Sequence, residues 1–198
     1  MTRAELPELH FIAPIDNLAS IIAQGILCHE HAKNVGHRSV AMEEIQDRRR
    51  KVIVPGGLRL HQYANLYINA RNKMMFKLKA ELGDAGLAVL SVSTDVLDLP
   101  DVVIADSNAS SSYVRFAPAP GGLALIDRDA VFAVRWTHAD QRETWAHGSI
   151  VCAEVLVPGV VPARYITRAY ASCAQSCTVI KETVANLPVT VNARLFFR

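Results

Sequence analysis

Residues Ile150-Val151-Cys152-Ala153-Glu154-Val155-Leu156-Val157 form an apolar run broken by a single carboxylate. With Ser149 in front, the run reads as a buried strand, Ser149–Val157. Alternation then sets Glu154 on the face shared with Cys152 and Leu156. An acid in that setting either closes a strand-end salt bridge or sits in a cleft with a task, because an unpaired buried charge is too costly. Working outward, Leu9–Ala13, Asn65–Asn69, Leu87–Val92, Val102–Ala105 and Val189–Phe197 read as further strands. Helices fall between them. Asp16–Gln24 carries Leu18, Ile21 and Ile22 at helical spacing, with Gly25 behind. Ser39 is placed to cap a helix running through Glu44 to about Arg50, before the break Val54-Pro55-Gly56-Gly57. Asn72 caps a helix over Met74, Met75, Leu78 and Leu82, with Gly83 after it, and Ser172–Asn186 reads as another. Strands without a regular strand–helix–strand rhythm predict an α+β fold with mostly antiparallel pairing. No repeat or long linker divides the chain, so residues 1–198 are expected to form a single domain.

Composition excludes several classes. Apolar residues make up 51% and charged residues 20%, which is too apolar for a disordered chain. Apolar stretches such as Gly86–Val92 are far shorter than a membrane-spanning helix. Arg3, Glu5 and Glu8 precede any apolar run, unlike a secretory signal. The four cysteines lack a disulfide spacing, so a reduced, cytoplasmic protein is expected, with no membrane partner. Charge is uneven beneath a net +2. Arg38 to Lys79 holds ten basic and three acidic residues (+7), whereas the remainder holds eleven against sixteen (−5). That asymmetry suits either a phosphate-binding face or a solvated helix surface.

Absent motifs narrow the chemistry. There is no glycine-rich dinucleotide fingerprint, no P-loop and no Gly-x-Ser-x-Gly elbow. Cys28-His29-Glu30-His31 is rich in ligand types, but adjacent residues in a loop cannot all face one ion, and no metal site is expected. Cys173 and Cys177, four apart on one helix face, have no second pair and read as core residues. What remains is a strand carboxylate, an arginine-rich helix and an early strand with His10. These suit cleavage of a glycosidic bond to a charged nucleotide: cations hold the pyrophosphate and the carboxylate stabilises the oxocarbenium-like charge.

Five stretches in register carry a resemblance to a known family. They are Ile15-Asp16-Asn17-Leu18, Ile45-Gln46-Asp47-Arg48-Arg49-Arg50 and Tyr67-Ile68-Asn69-Ala70-Arg71-Asn72-Lys73-Met74-Met75, then Asp106-Ser107-Asn108-Ala109-Ser110 with Arg115-Phe116 and Trp136, and Cys152–Pro158. In this order the chain resembles the DarT-type ADP-ribosyltransferases, from residue 9 to about 166. Family members are toxins that move ADP-ribose from NAD onto a base of single-stranded DNA, and a macrodomain antitoxin, DarG, removes it. The resemblance implies an ADP-ribosyltransferase-like split antiparallel sheet with short helices, NAD as co-substrate, and single-stranded DNA and a DarG-like antitoxin as partners. It places Glu154 as the catalytic glutamate and Arg49 as the arginine that touches NAD and assists deprotonation of the base. Asn34–Val52 becomes the segment over the dinucleotide. His10, Phe11 and Ile12 hold the nicotinamide end, with Ala19 and Leu27 lining the same cleft. Arg71, Asn72, Lys73, Met74, Met75 and Phe76 contact DNA, and Asp106–His147 selects the target. Lys73 stands where the family often has proline, adding a cation. Thymine is the expected base; guanine, RNA, protein, and a non-catalytic nucleic-acid binding module are the alternatives.

Overall fold

The computed structural model describes every residue except 40–42, and the backbone alone at 43. The strands are β1 (Leu9–Pro14), β2 (Ile26–Leu27), β3 (Tyr63–Tyr67), β4 (Leu87–Val92), β5 (Val103–Ala105), β6 (Phe116–Pro118), β7 (Glu154–Pro158), β8 (Val160–Val161), β9 (Ile166–Ala171) and β10 (Val189–Val191). The helices are α1 (Leu18–Gln24), α2 (His29–Ala32), α3 (Glu43–Lys51), α4 (Lys73–Leu82), α5 (Arg128–Val131), α6 (Gln141–Ile150) and α7 (Ala174–Thr183). Among the described residues one sheet runs β10-β9-β4-β1-β3-β7-β5-β6, and β2 pairs β8 apart from it. All pairings are antiparallel except β10 with β9.

The centre of this sheet is barely joined. β1 pairs β4 at six positions, from Leu9–Val92 to Pro14–Leu87, and β3 pairs β7 at five. Between β1 and β3 the register holds one pair, His10 with Tyr67. The sheet is therefore split into two halves that diverge from that rung, as the resemblance implies.

Apolar layers cover both faces. Leu87 and Val89 of β4 point to a cluster with Met75, Leu78 and Phe196, while Ala88, Leu90 and Val92 point to one with Leu18, Ile180 and Val184. A strand buried on both sides needs a continuous apolar run, which Leu87–Val92 supplies. α4 begins where Asn72 predicts: its side chain accepts the Met75 N–H at 3.0 Å, and Gly83 follows at φ 71°. Gly25 ends α1 at φ 87°, and a Cβ there would lie 2.4 Å from the Val161 carbonyl oxygen, so only glycine lets α1 dock on β8.

Three expectations need correction. The run Ser149–Val157 is a strand only from Glu154; Ser149 and Ile150 end α6, and the Cys152 and Ala153 N–H groups bond back to the Ser149 and Ile150 carbonyls. The strand expected at Asn65–Asn69 lies two residues earlier, because Asn69 bonds the Val131 carbonyl and begins the approach to α4. Val189–Phe197 is extended only to Val191, then turns into a 3-10 helix at Ala193–Phe196 that buries Phe196. The expected start at Ser39 leads into residues 40–42, outside the described residues.

Candidate active site

Glu154 opens β7, facing Tyr67 of β3 on one side and Ala105 of β5 on the other. Its side chain is 0% exposed and fully engaged. Arg49 Nη1 donates to Oε1 and Nη2 to Oε2, each at 3.0 Å, and the Ala109 N–H donates to Oε1 at 3.0 Å. Two parallel guanidinium bonds are the strongest geometry for such a pair, and a buried pair needs that quality to offset desolvation. Burial works against the Arg49 charge, but the Glu154 carboxylate outweighs it and raises the Arg49 pKa. Desolvation, reinforced by Glu154, likewise raises the Tyr67 phenol.

Position on α3 separates the arginines. Successive residues point about 100° apart. Arg48 meets Glu44 and is 60% exposed; Arg50 meets Asp47 at 3.3 Å and is 66% exposed; the Arg49 side chain is 9% exposed. Only the middle one is buried. It lines a cavity of about 1330 Å³, with Glu154 behind it, although Arg48 also reaches the cavity. That volume exceeds the roughly 300–1,000 Å³ of a pocket for a drug-sized ligand and suits a dinucleotide together with a second substrate.

The cavity lies where the sheet splits. Phe11 and Ile12 of β1, Leu27 of β2 and Tyr67 of β3 line it, together with Val35, His37 and Arg38 of the expected covering segment. Two expected residues do not. The His10 ring nitrogen Nε2 lies 3.2 Å from Glu8, and His10 is not part of the lining. Ala19 is exposed, and its neighbours Ser20 and Ile21 line the cavity instead.

The expected DNA segment divides in the same way. Lys73 and Met74 line the cavity and Phe76 is 57% exposed. Arg71 donates to the Val134 carbonyl at 2.9 Å. Asn72 and Met75 are 0% exposed, one as the cap of α4 and the other in its packed face, which keeps both from reaching a nucleic acid. Between Asp106 and His147, Asn108, Tyr113, Arg142 and Trp145 reach the cavity, and Asp106 instead pairs Arg115.

Some site residues were not singled out from the sequence. The Ala109 N–H on Glu154 is a backbone feature with no side-chain signal. His61 lines the cavity, stacks on His29 with ring centroids 4.2 Å apart, and is pushed down to about 4 by burial and nearby cationic groups. Its only trace in sequence is its place just before β3.

Residues 10–197 match the family described as DarT, ssDNA thymidine ADP-ribosyltransferase. The chain belongs to the DarT family. A DarT-family relative, a DNA ADP-ribosyl transferase–DNA ADP-ribosyl glycohydrolase fusion protein of Thermosipho africanus (strain H17ap60334), is 28% identical over 195 residues, covering 96% of this chain and 49% of the relative. The chain thus spans about half the length of that fusion. A DNA ADP-ribosyl transferase of Thermus sp. (strain 2.9) is 28% identical over 145 residues, 68% of this chain and 69% of the relative. The solved Thermosipho africanus DarTG in complex with ADP-ribose superimposes with a TM-score of 0.84 at 26% identity, covering 96% of this chain and 51% of that one. Thermus sp. 2.9 DarT in complex with ADP-ribosylated ssDNA gives 0.83 at 24% identity over 99% of both chains, a likeness of fold. The DarT fold is therefore the α+β split sheet expected from the sequence. Among the described residues no helix is long and apolar enough to cross a membrane.

Proposed function

We propose that this chain is a single catalytic domain, a cytoplasmic NAD-dependent mono-ADP-ribosyltransferase toxin that modifies thymine in single-stranded DNA. The observation that carries this reading is the bidentate grip of Arg49, at the wall of a dinucleotide-sized cavity in the split sheet, on the buried Glu154 behind it. The cavity suits NAD chemically as well as by size. Arg38 and Arg48 line it and match a pyrophosphate, while apolar Phe11 and Ile12 match a nicotinamide ring.

NAD supplies an activated ribose carbon, which gains positive character as its bond to nicotinamide breaks. Glu154 is the carboxylate placed to stabilise that charge. Arg49 holds the carboxylate by two hydrogen bonds, and in this reading the guanidinium gives up that grip as the ribose charge develops. Arg49 then carries its charge to the incoming base. Its raised pKa keeps it cationic, so it stabilises the ring-nitrogen anion while the proton passes to solvent water. The nitrogen bonds the ribose carbon that nicotinamide leaves. A ring nitrogen on the pairing edge is blocked in a duplex, and extruding a base costs a few kcal/mol, so a single strand is the better substrate. The Thermosipho relative carries a DNA ADP-ribosyl glycohydrolase in the same polypeptide, which supports a DarG-like antitoxin as the partner that reverses the reaction.

The test is incubation with labelled NAD and a mixture of DNA, RNA and protein, followed by oligonucleotides that each lack one base. Label is expected on thymine of single strands and far less on the annealed duplex. Label on RNA or protein, or none despite NAD binding, overturns the substrate; label on strands lacking thymine overturns only the base.

A further inference from the structure

Three aromatic rings from distant parts of the chain meet beside the cavity. Phe76 of α4 lies 6.4 Å from Trp136 and 5.4 Å from Phe197, and Trp136 lies 5.7 Å from Phe197, all edge to face. Such packing is favourable in itself, yet Phe76 remains 57% exposed. Phe197 adopts φ 59°, a left-handed conformation that a bulky residue avoids unless its surroundings impose it. The surroundings are clear: the Arg71 guanidinium sits 4.2 Å above the Phe197 ring, and Lys79 Nζ donates to its carbonyl at 2.9 Å. The next residue, Arg198, pairs Asp84.

Two observations point from this cluster to a ligand. One is continuity with the cavity. Gly148 and Lys73 line the cavity, and a Cβ on Gly148 would lie 3.5 Å from Lys73 and 3.6 Å from Trp136, so Trp136 packs immediately behind that part of the wall. The other is charge. Lys73 and Lys77 lie on α4 three positions before and one after Phe76, and Arg194 is close enough to depress the Arg71 pKa alongside burial. The acids nearby, Glu81 and Asp84, are taken up by Lys77 at 3.9 Å and by Arg198. Cations interleaved with an exposed aromatic face are what an unpaired strand requires: phosphates meet the cations and bases stack on the rings.

We propose that Phe76, Trp136 and Phe197 form a base-stacking platform that holds the stretch of single-stranded DNA leading away from the cavity. This rests on the single-strand reading above. It adds Trp136 and the C-terminal Phe197 to the nucleic-acid surface, and it makes the interaction one with bases rather than with phosphates alone.

The experiment measures binding, without NAD, of a fluorescent twelve-residue thymidine strand and of an abasic strand of equal length and charge. Phe76→Leu keeps an apolar side chain but loses the π face; Phe76→Tyr keeps both. The expected result is about tenfold weaker binding of the thymidine strand by Phe76→Leu, no change with the abasic strand, and recovery with Phe76→Tyr, a scale set by base stacking on one aromatic. Trp136 emission should also be quenched by the thymidine strand in a Trp145→Phe background. Equal weakening on both strands, or none on either, overturns the proposal. Because no transfer is measured, loss of stacking and loss of the ADP-ribosyltransferase reading are told apart: an enzyme that modifies DNA yet binds both strands equally refutes only the platform.

Discussion

Glu154, the buried first residue of β7, and Glu8, half-buried just ahead of β1, both bond partners around the sheet, yet they are held in opposite ways. Glu8 enters β1 and is gripped by groups of the sheet's own strands: Ser91 of β4, Tyr170 of β9 at 2.8 Å, and His10 of β1 at 3.2 Å. Burial opposes its charge, but these hydrogen bonds win and hold its pKa at about 2. Glu154 receives its charge partner from α3, which is no part of the sheet, and that partner faces the cavity. One carboxylate is clamped by elements that cannot leave without dismantling the sheet. The other is held by a helix side chain at the wall of the cavity. What sets the two carboxylates apart is the origin of the partner, the sheet itself for Glu8 and the wall of the cavity for Glu154.

The largest effect expected from this contrast is on transfer. Glu154→Gln keeps the size and some hydrogen bonds but removes the charge, and transfer should fall by about 10²–10³-fold, the scale of about 2.7–4 kcal/mol for one such group. Radiolabel transfer from NAD measures it, and an undiminished rate breaks the contrast. Glu8→Gln, by comparison, should leave transfer far less changed. Next in size is stability. Arg49→Ala strands Glu154 in a dry site and should cost about 3–5 kcal/mol in urea unfolding. Arg49→Lys restores charge without the two-pronged geometry and should recover only part of it.

Acid sharpens the comparison. Glu8 falls from an ordinary value of 4.5 to about 2, so its contribution to stability is complete above pH 4.5 and is lost as pH drops toward 2. His61, depressed from 6.5 to about 4, acts earlier: the unfolded chain takes up a proton that the folded one refuses, so stability declines as pH drops from 6.5 to 4. Midpoints measured across pH should show two declines, the lower one flattened by Glu8→Gln and the upper one by His61→Phe. The smallest effect belongs to Arg50→Ala, within about 0.5 kcal/mol for stability because the side chain is exposed. It should lower the salt slope of single-strand binding by about 0.7 if Arg50 meets a phosphate.

The sequence made this site legible where a residue broke a local pattern. Glu154 stood out as the lone charge in an apolar run, and Asn72 and Gly83 bracketed α4 because caps obey short-range rules. Long-range facts stayed hidden. α6 begins Gln-Arg-Glu-Thr without an apolar stripe, so its helix, and the turn that makes Glu154 the first residue of β7 rather than its middle, had no periodic signal. β9 carries Arg168 and Thr167 on an exposed side and takes its place only through pairing with β4. Which of three successive arginines turns inward depends on how α3 docks, and the Ala109 N–H on Glu154 depends on loop closure.

The single rung between β1 and β3 has a mechanical consequence. A ladder of five or six rungs resists shear and rotation along its whole length, whereas one rung acts as a pivot. Rotation of the two halves about His10 and Tyr67 would widen the far end without breaking a backbone ladder on either side. On the proposed function, that seam is where a bulky dinucleotide would enter and leave, with the rows that position Glu154 kept in register.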